Sequence, residues 1–315
     1  MTKKINKPII IDTDPGIDDA VALAIALLND TIEVDLLTTV AGNVALEHTA
    51  KNTLKLVEFF KSEVAVAKGA AEPLLNVLED ASEVHGETGL AGYEFPEPKI
   101  AYHEKNAIEA MRDLILSKEE KTIIIALGPL TNIALLIKSY PEVKEKIQEV
   151  IFMGGSLSAG NVTSAAEFNL YSDPHAAEII FRSGLNLVMV GLDVTMRALI
   201  RGKEIEEIRQ RGELGEMFYS LFSHYQSGTM EEGLVMHDSS TLAYLLKPDL
   251  FETKDLAVEM ILDGPGKGAT VTKFLASDSQ EKNVRVCLGI KEEAFREWIK
   301  EELLKASDHL NALND

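Results

Sequence analysis

Cysteine is almost absent from this chain, and long apolar runs are missing as well. Cys287 is the only cysteine among 315 residues, which excludes an internal disulfide and is typical of a protein kept in a reducing compartment. The apolar run that ends at Asp12 is too short for the core of a signal peptide or for a membrane span. These shortages predict a cytoplasmic protein that does not enter a membrane.

Basic side chains are also scarce relative to acidic ones. Lysine and arginine number 31 against 51 aspartates and glutamates, so the formal net charge is −20. A field of this sign repels nucleic acids and anionic membrane surfaces. It leaves small neutral substrates and cations as ligands. Hydrophobic residues, at 46%, are sufficient for the core of an ordinary globular enzyme.

Through the first two-thirds of the chain, short β-branched runs alternate with stretches of helical periodicity. This alternation predicts an α/β fold with a mostly parallel sheet and helices on both faces. In such sheets, ligands bind at the carboxyl ends of the strands. The predicted strands are residues 8–12, 34–39, 64–67, 122–127, 150–153 and 187–192, and the predicted helices are residues 20–28, 46–60, 107–116 and 133–137.

The last third of the chain follows a different pattern. Residues 203–226 and 239–246 have helical periodicity, and an amphipathic stretch at 292–310 predicts a closing helix. Because no repeat or linker-like stretch interrupts the chain, we expect one domain over residues 1–315. Antiparallel strands added late to the sheet are predicted at 257–262, 269–274 and 283–288.

Four aspartates, at positions 12, 14, 18 and 19, lie within eight residues. They follow a buried strand and cross the start of a helix, with Pro15 and Gly16 at the turn. Capping of the helix N-terminus accounts for one aspartate or two. Four carboxylates at one strand end repel one another unless a cation neutralises them, and oxygen-rich clusters suit calcium or magnesium. The block therefore predicts a metal site, with helix capping as the structural alternative.

The spacing Asp12-x-Asp14 after a strand is also typical of haloacid-dehalogenase-type phosphatases, in which the first aspartate is a nucleophile. That pattern has threonine or valine two residues after the second aspartate, where this chain has Gly16. It also continues into a loop, whereas a helix is predicted here at once. A magnesium phosphatase therefore stays as the alternative enzyme.

The aspartate block Asp12-Thr13-Asp14-Pro15-Gly16-Ile17-Asp18-Asp19 is followed by six further motifs. They are Ala41-Gly42-Asn43, His85-Gly86-Glu87, Leu127-Gly128-Pro129-Leu130-Thr131-Asn132, Met153-Gly154-Gly155, Glu167-Phe168-Asn169 and His237-Asp238. Because it contains this block and these motifs in this order, the chain resembles the inosine–uridine-preferring nucleoside hydrolases over nearly its whole length. The resemblance implies a single α/β domain with a mixed, mostly parallel sheet. It also implies hydrolysis of the N-glycosidic bond of ribonucleosides.

The resemblance further implies a calcium cofactor and a catalytic pair. Asp14 is implied to be the general base for a calcium-bound water, and His237 the acid that protonates the leaving base. His85 is implied to line the same pocket and is counted with the catalytic residues, although a lone histidine is more often structural. The implied calcium ligands are Asp14, Asp19, the backbone carbonyl of Leu127, and Asp238.

The implied substrate is a small ribonucleoside with a pyrimidine base or hypoxanthine. Purine-specific relatives have tryptophan near the position of His237, whereas the only tryptophan here, Trp298, is in the predicted last helix. Tyr225 and Gln226 lie where relatives place a mobile segment over the base. Relatives form homodimers or homotetramers, so a homo-oligomer active in nucleoside salvage or catabolism is implied. A calcium-dependent protein that binds nucleosides or ribose without cleaving them is the non-enzymatic alternative. The implied substrate-binding residues are Asp18, Asn43, Met153, Asn161, Glu167, Phe168 and Asn169.

Overall fold

The computed structural model describes residues 4–272 and 281–314. The strands are β1 (Ile9–Thr13), β2 (Val34–Thr39), β3 (Val66–Lys68), β4 (Thr122–Ala126), β5 (Ile147–Met153), β6 (Leu187–Val190), β7 (Leu199–Ile200), β8 (Gly228–Thr229), β9 (Gly233–Val235), β10 (Phe251–Leu256), β11 (Val258–Met260), β12 (Thr270–Thr272) and β13 (Val284–Ile290). The helices are α1 (Ile17–Leu27), α2 (Leu46–Phe59), α3 (Ser82–His85), α4 (Ala107–Ser117), α5 (Thr131–Ser139), α6 (Phe168–Ser172), α7 (Pro174–Phe181), α8 (Leu192–Thr195), α9 (Gly202–Arg209), α10 (Glu213–Phe222), α11 (Ser239–Leu246) and α12 (Glu292–Asn314). None of these described helices is long and apolar enough to cross a membrane.

Eight strands form the central sheet, in the order β10-β13-β6-β5-β4-β1-β2-β3. Every neighbouring pair is parallel except β10 with β13. The predicted α/β fold with a mixed, mostly parallel sheet is confirmed. After β1 the chain builds outward through β2 and β3, and then returns to place β4 on the other side of β1. This reversal opens a crevice at the carboxyl ends of β1 and β4, which is where such sheets bind ligands.

The side chains of the central strands are buried on both faces of the sheet. Ile9 and Ile11 pack into one hydrophobic cluster, and Ile10 packs into the other. This division follows from the two-residue period of a strand. It explains why β1 is a continuous apolar run rather than an alternating one. The polar block that begins at Asp12 therefore starts where the strand emerges from the core.

The structure differs from the sequence-based prediction in the last third of the chain. Residues 203–226 form two helices, α9 and α10, because Gly212 between them has a φ of 102°, which a continuous helix does not allow. Only β10 joins the central sheet in antiparallel fashion, whereas β13 pairs with β6 in parallel. Strands β11 and β12 form a separate antiparallel pair. Positions 273 and 274 of the predicted strand at 269–274 lie outside the described residues.

Candidate active site

Asp14 lies in the turn between β1 and α1. Its Oδ2 accepts the backbone N–H of Asn43 at 2.7 Å, whereas its Oδ1 is buried and has no hydrogen-bond partner among the described residues. Gly42 and Gly128 flank the carboxylate, and a Cβ on them would lie 2.1 and 2.3 Å from its oxygens. Both positions therefore require glycine. A buried carboxylate oxygen without a donor is costly, and a cation in this place would remove that cost.

Asp19 holds the turn that carries Asp14. Its Oδ1 accepts the hydroxyl of Thr13 at 2.6 Å, and its Oδ2 accepts the backbone N–H of Gly16 at 3.0 Å. The side-chain amide of Asn43 donates to the same Oδ2 at 3.1 Å. Helix capping, the structural alternative for the aspartate block, thus applies to Asp19. Capping does not account for the other acidic side chains gathered here.

Asp18, Asp19 and Asp238 each place one carboxylate oxygen within 4.8 Å of the others, and all three are buried. Burial and then the charges of Asp18 and Asp19 hold the pKa of Asp238 well above its usual range. Burial and then the charge of Asp19 raise the pKa of Asp18 to about 7. The pKa of Asp14 also lies well above its usual range, through burial and then the charge of Asp19. The cluster therefore favours protons or another cation at neutral pH.

The donors of this cluster fit a hard divalent cation. They are carboxylate oxygens, which calcium and magnesium prefer, and their mutual repulsion is the kind that such an ion relieves. Three of the predicted ligands, Asp14, Asp19 and Asp238, come together although 218 residues lie between Asp19 and Asp238 along the chain. Asp18, predicted as a sugar ligand, is the third member of the group within 4.8 Å.

The carbonyl of Leu127, the fourth predicted ligand, follows the end of β4. The side-chain amide of Asn169 donates to this carbonyl at 2.7 Å and to the carbonyl of Met153 at 3.2 Å. Asn169 therefore joins the ends of β4 and β5. Because its amide nitrogen is used in this way, the oxygen of the same amide is the atom left for a ligand hydroxyl.

Glu167 and Asn161 lie on the segment that leads into α6. One oxygen of Glu167 accepts the backbone N–H groups of Gly155 and Leu170 at 2.9 and 3.1 Å, and the other accepts that of Asn169 at 2.8 Å. Burial outweighs these bonds and raises the pKa of Glu167 to about 7. Asn161 accepts the backbone N–H of Phe168 at 3.0 Å, which fixes the loop against the helix.

His85 is bound to the helix that follows the aspartate block. The backbone N–H of Ile17 donates to its Nδ1 at 3.0 Å, so Nε2 carries the ring proton. Burial, and then the neighbouring His237, lower the pKa of His85 to about 3. The ring of Tyr225 lies 5.4 Å from that of His85, centroid to centroid, and Tyr225 is buried. The segment that contains Tyr225 therefore packs against the predicted catalytic residues.

His237 lies directly before Asp238 and after β9. Its Nδ1 is 2.8 Å from the hydroxyl of Thr195, which is fully buried at the end of α8. Burial lowers the pKa of His237 to about 4. The ring is therefore a neutral imidazole at pH 7. Thr195 was not predicted, because neither a motif nor its spacing connects it with position 237.

A cavity of about 600 Å³ opens above these groups, at the carboxyl ends of the parallel strands. Asp14 and Asp19 do not line it, but both accept hydrogen bonds from Asn43, which does. The sequence-predicted residues that line it are Asp18, Asn43, His85, Leu127, Met153, Asn161, Glu167, Phe168, Asn169, Tyr225, Gln226, His237 and Asp238. A second cavity, of about 680 Å³, lies at the opposite ends of β5, β6 and β13 and contains none of them.

Several residues that line the cavity were not predicted. Glu79, Asp80 and Glu83 add carboxylates to its wall, and Met196 and Val162 add apolar surface. Glu83 lies in the one-turn helix α3 and the others lie on loops, segments too short or irregular to show periodicity, so the sequence pattern had no basis for placing them. Asp12 lies outside the wall and accepts the side-chain amide of Asn132 at 2.7 Å. That bond ties the end of β1 to α5.

Comparison with known proteins identifies the class of protein that this fold and cavity represent. The family model of the inosine-uridine preferring nucleoside hydrolases matches residues 9–297. The chain belongs to this family. It is therefore a hydrolase of N-glycosyl bonds.

Individual relatives agree with this assignment. The chain is similar to the non-specific ribonucleoside hydrolase RihC of Escherichia coli (strain SMS-3-5 / SECEC), with 44% identity over 301 residues that cover 95% of this chain and 99% of that protein. Among solved structures, the purine-preferring ribonucleoside hydrolase from Gardnerella vaginalis superposes with a TM-score of 0.89 at 28% identity, covering 97% of this chain and 100% of that one. A plant nucleoside hydrolase, the PpNRh1 enzyme, gives a TM-score of 0.87 at 30% identity and covers 95% and 99% of the two chains.

Proposed function

We propose that this protein hydrolyses the N-glycosidic bond of pyrimidine ribonucleosides, inosine or both, and releases ribose and the free base. The observation that carries the proposal is that Asp18, Asp238 and His237 line one cavity, with Asp19 buried within 4.8 Å of Asp18 and Asp238. A carboxylate base and an imidazole acid on opposite sides of a bound sugar are what the reaction requires. The non-specific ribonucleoside hydrolase RihC, to which the chain is similar, supports a broad choice of base.

The proposed cofactor is calcium, held by Asp14, Asp19, the carbonyl of Leu127, and Asp238. When bound, the ion would lower the pKa of a water molecule and grip two ribose hydroxyls. The buried Oδ1 of Asp14 and the close approach of Asp19 to Asp238 support this ligand set. Magnesium is the other hard cation that such oxygens accept, so metal titration distinguishes the two.

Asp14 is proposed to accept a proton from the attacking water. The N–H of Asn43 holds its carboxylate in place, and a bound cation would keep that carboxylate ionised and able to accept a proton. The water oxygen then bonds to C1′ of the ribose as the bond from C1′ to the base nitrogen breaks. The sugar is held by Asp18, Asn43 and Asn169, and by the 5′ side of the cavity at Asn161 and Glu167.

His237 is proposed to give a proton to the departing base. The electron pair of the broken bond stays on that base, and negative charge builds up beside the imidazole. This charge raises the pKa of His237 above the value of about 4 that burial gives it, so the ring can take a proton from solvent and then pass it to the base. His85, Met153 and Phe168 complete the proposed pocket around the base and sugar, with His85 offering its Nε2–H.

The proposal is tested with uridine, cytidine and inosine in buffer without phosphate. We expect ribose and free base to appear in equal amounts, and a chelator to stop the reaction. A requirement for phosphate, with ribose 1-phosphate as product, would make the enzyme a phosphorylase. Release of phosphate from sugar phosphates would favour the phosphatase alternative, and nucleoside binding without turnover would favour the binding protein.

Three other predictions stay open to experiment. The chain is proposed to be one domain over residues 1–315, to form a homodimer or homotetramer, and to act in the cytoplasm. Light scattering of the purified protein measures the mass against the 34.5 kDa of one chain. A monomeric mass at micromolar concentration would contradict the proposed oligomer.

A further inference from the structure

We infer that Thr195 is a positioning residue for His237, and that its hydroxyl holds the imidazole ring so that Nε2 points into the cavity. The inference rests on the proposed role of His237 as the acid. Thr195 Oγ1 lies 2.8 Å from Nδ1 of His237, and His237 itself lines the cavity. Because the two nitrogens of an imidazole point in diverging directions, a bond on Nδ1 leaves Nε2 for the ligand.

The hydroxyl is held rigidly by the backbone around it. Thr195 ends the short helix α8, and its N–H donates to the carbonyl of Gly191 at 3.1 Å. The first residue of that helix, Leu192, donates its N–H to the carbonyl of Gly155 at 2.9 Å. Thr195 has no exposed surface. The imidazole therefore shields this hydroxyl from water.

The two partners also belong to one backbone network. The carbonyl of Thr195 accepts the N–H of Ala198 at 3.0 Å, and the carbonyl of Ala198 accepts the N–H of Met236 at 2.9 Å. Met236 is the residue before His237. The distance between Thr195 and the imidazole is thus set by main-chain bonds, so it does not depend on side-chain rotation alone.

A hydroxyl suits this role because it can both donate and accept a hydrogen bond, so it can pair with Nδ1 whichever ring nitrogen carries the proton. Among residues 4–272 and 281–314, the hydroxyl of Thr195 has one side-chain partner, Nδ1 of His237. Removal of the hydroxyl therefore frees the ring to turn.

The test compares Thr195→Val, which keeps the shape but loses the hydroxyl, with Thr195→Ser, which keeps the hydroxyl. We expect Thr195→Val to lower kcat for uridine about 10- to 100-fold, the range usual for a residue that orients a functional histidine. Hydrolysis of p-nitrophenyl riboside should stay within about twofold of wild type, because its leaving group departs without a proton. Thr195→Ser should restore most of the uridine rate. The matched control is Thr53→Val, which removes a buried hydroxyl that bonds to the carbonyl of Thr49 within α2.

A double variant connects the effect to the histidine. In the His237→Ala background, Thr195→Val should cause no further loss with uridine, because residues that act through one another are not additive. Equal losses on uridine and p-nitrophenyl riboside would show that Thr195 only supports the fold, and would overturn the inference. An unchanged uridine rate in Thr195→Val, with a large loss in His237→Ala, would overturn the inference but leave the proposed function standing. A full uridine rate in His237→Ala would overturn the acid role itself.

Discussion

Asp238→Asn should stabilise the protein in the presence of a chelator, although it abolishes activity. Asp238 has two carboxylate neighbours, Asp18 and Asp19, within 4.8 Å. With an effective dielectric constant of about 20, each such pair of charges repels by about 3.5 kcal/mol. Protonation of these carboxylates already relieves part of the repulsion. We therefore expect the free energy of unfolding to increase by about 2 to 4 kcal/mol at pH 8. The side chain of Asp238 makes no capping bond to α11, so no helix cap is lost.

The assay is thermal unfolding at pH 8 with chelator and with calcium. An unfolding entropy of about 2.1 cal/mol/K per residue converts the gain to a Tm about 3 to 6 °C higher than wild type in chelator. With calcium the wild type should gain stability by ligand binding, and the variant should gain much less. The exposed Asp263→Asn serves as control and should not shift Tm. A lower Tm for Asp238→Asn in chelator would refute the idea that these carboxylates repel one another.

Three further predictions concern single groups. Asp14→Asn should keep the fold and lower kcat for uridine by about 10² to 10⁴-fold, and a rate near wild type would remove Asp14 as the base. The pKa values of Asp12 and Glu167 rise to about 7 on folding, so their protonated forms are the stable ones. In the presence of a chelator, the contribution of each group to the free energy of unfolding is complete below about pH 4. It is lost as the pH rises through 7, and the loss is about 3 to 4 kcal/mol per group. A Tm that rises from pH 5 to pH 8 would contradict this prediction. Burial raises the pKa of Cys287 to about 12, so the native thiol should not react with a disulfide reagent at pH 8 and should react once the protein unfolds; rapid native labelling would contradict this.

The sequence predicted the part of the fold in which periodicity and burial agree. Strand β2 was predicted at residues 34–39, as observed, because its apolar run ends at clear turn residues. The break between α9 and α10 was missed, since Gly212 is tolerated in a helical pattern and only its backbone angle reveals the turn. Partners of the late strands were missed because pairing joins residues far apart in the chain, as with β13 and β6. Periodicity carries no information about such partners.

The residues of the candidate site that were predicted from the sequence are those that lie in short motifs. The aspartate block and His237-Asp238 converge because both follow strand ends at the same edge of the fold. The contacts that hold these residues were not predictable. Thr195 meets His237 only through the path of α8, and Ile17 meets His85 only because α3 packs against the start of α1. Single residues on short turns have no pattern that identifies them.

The amide of Asn169 joins the ends of two strands, through the carbonyls of Leu127 and Met153. One of these carbonyls belongs to the proposed ion site, and the neighbouring Glu167 belongs to the proposed sugar site. Under the proposed function, this one side chain would serve two ligands, because its amide nitrogen holds a carbonyl of the ion site and its amide oxygen is left for a sugar hydroxyl. A replacement of Asn169 would then alter the affinity for the ion and the preference for the sugar together.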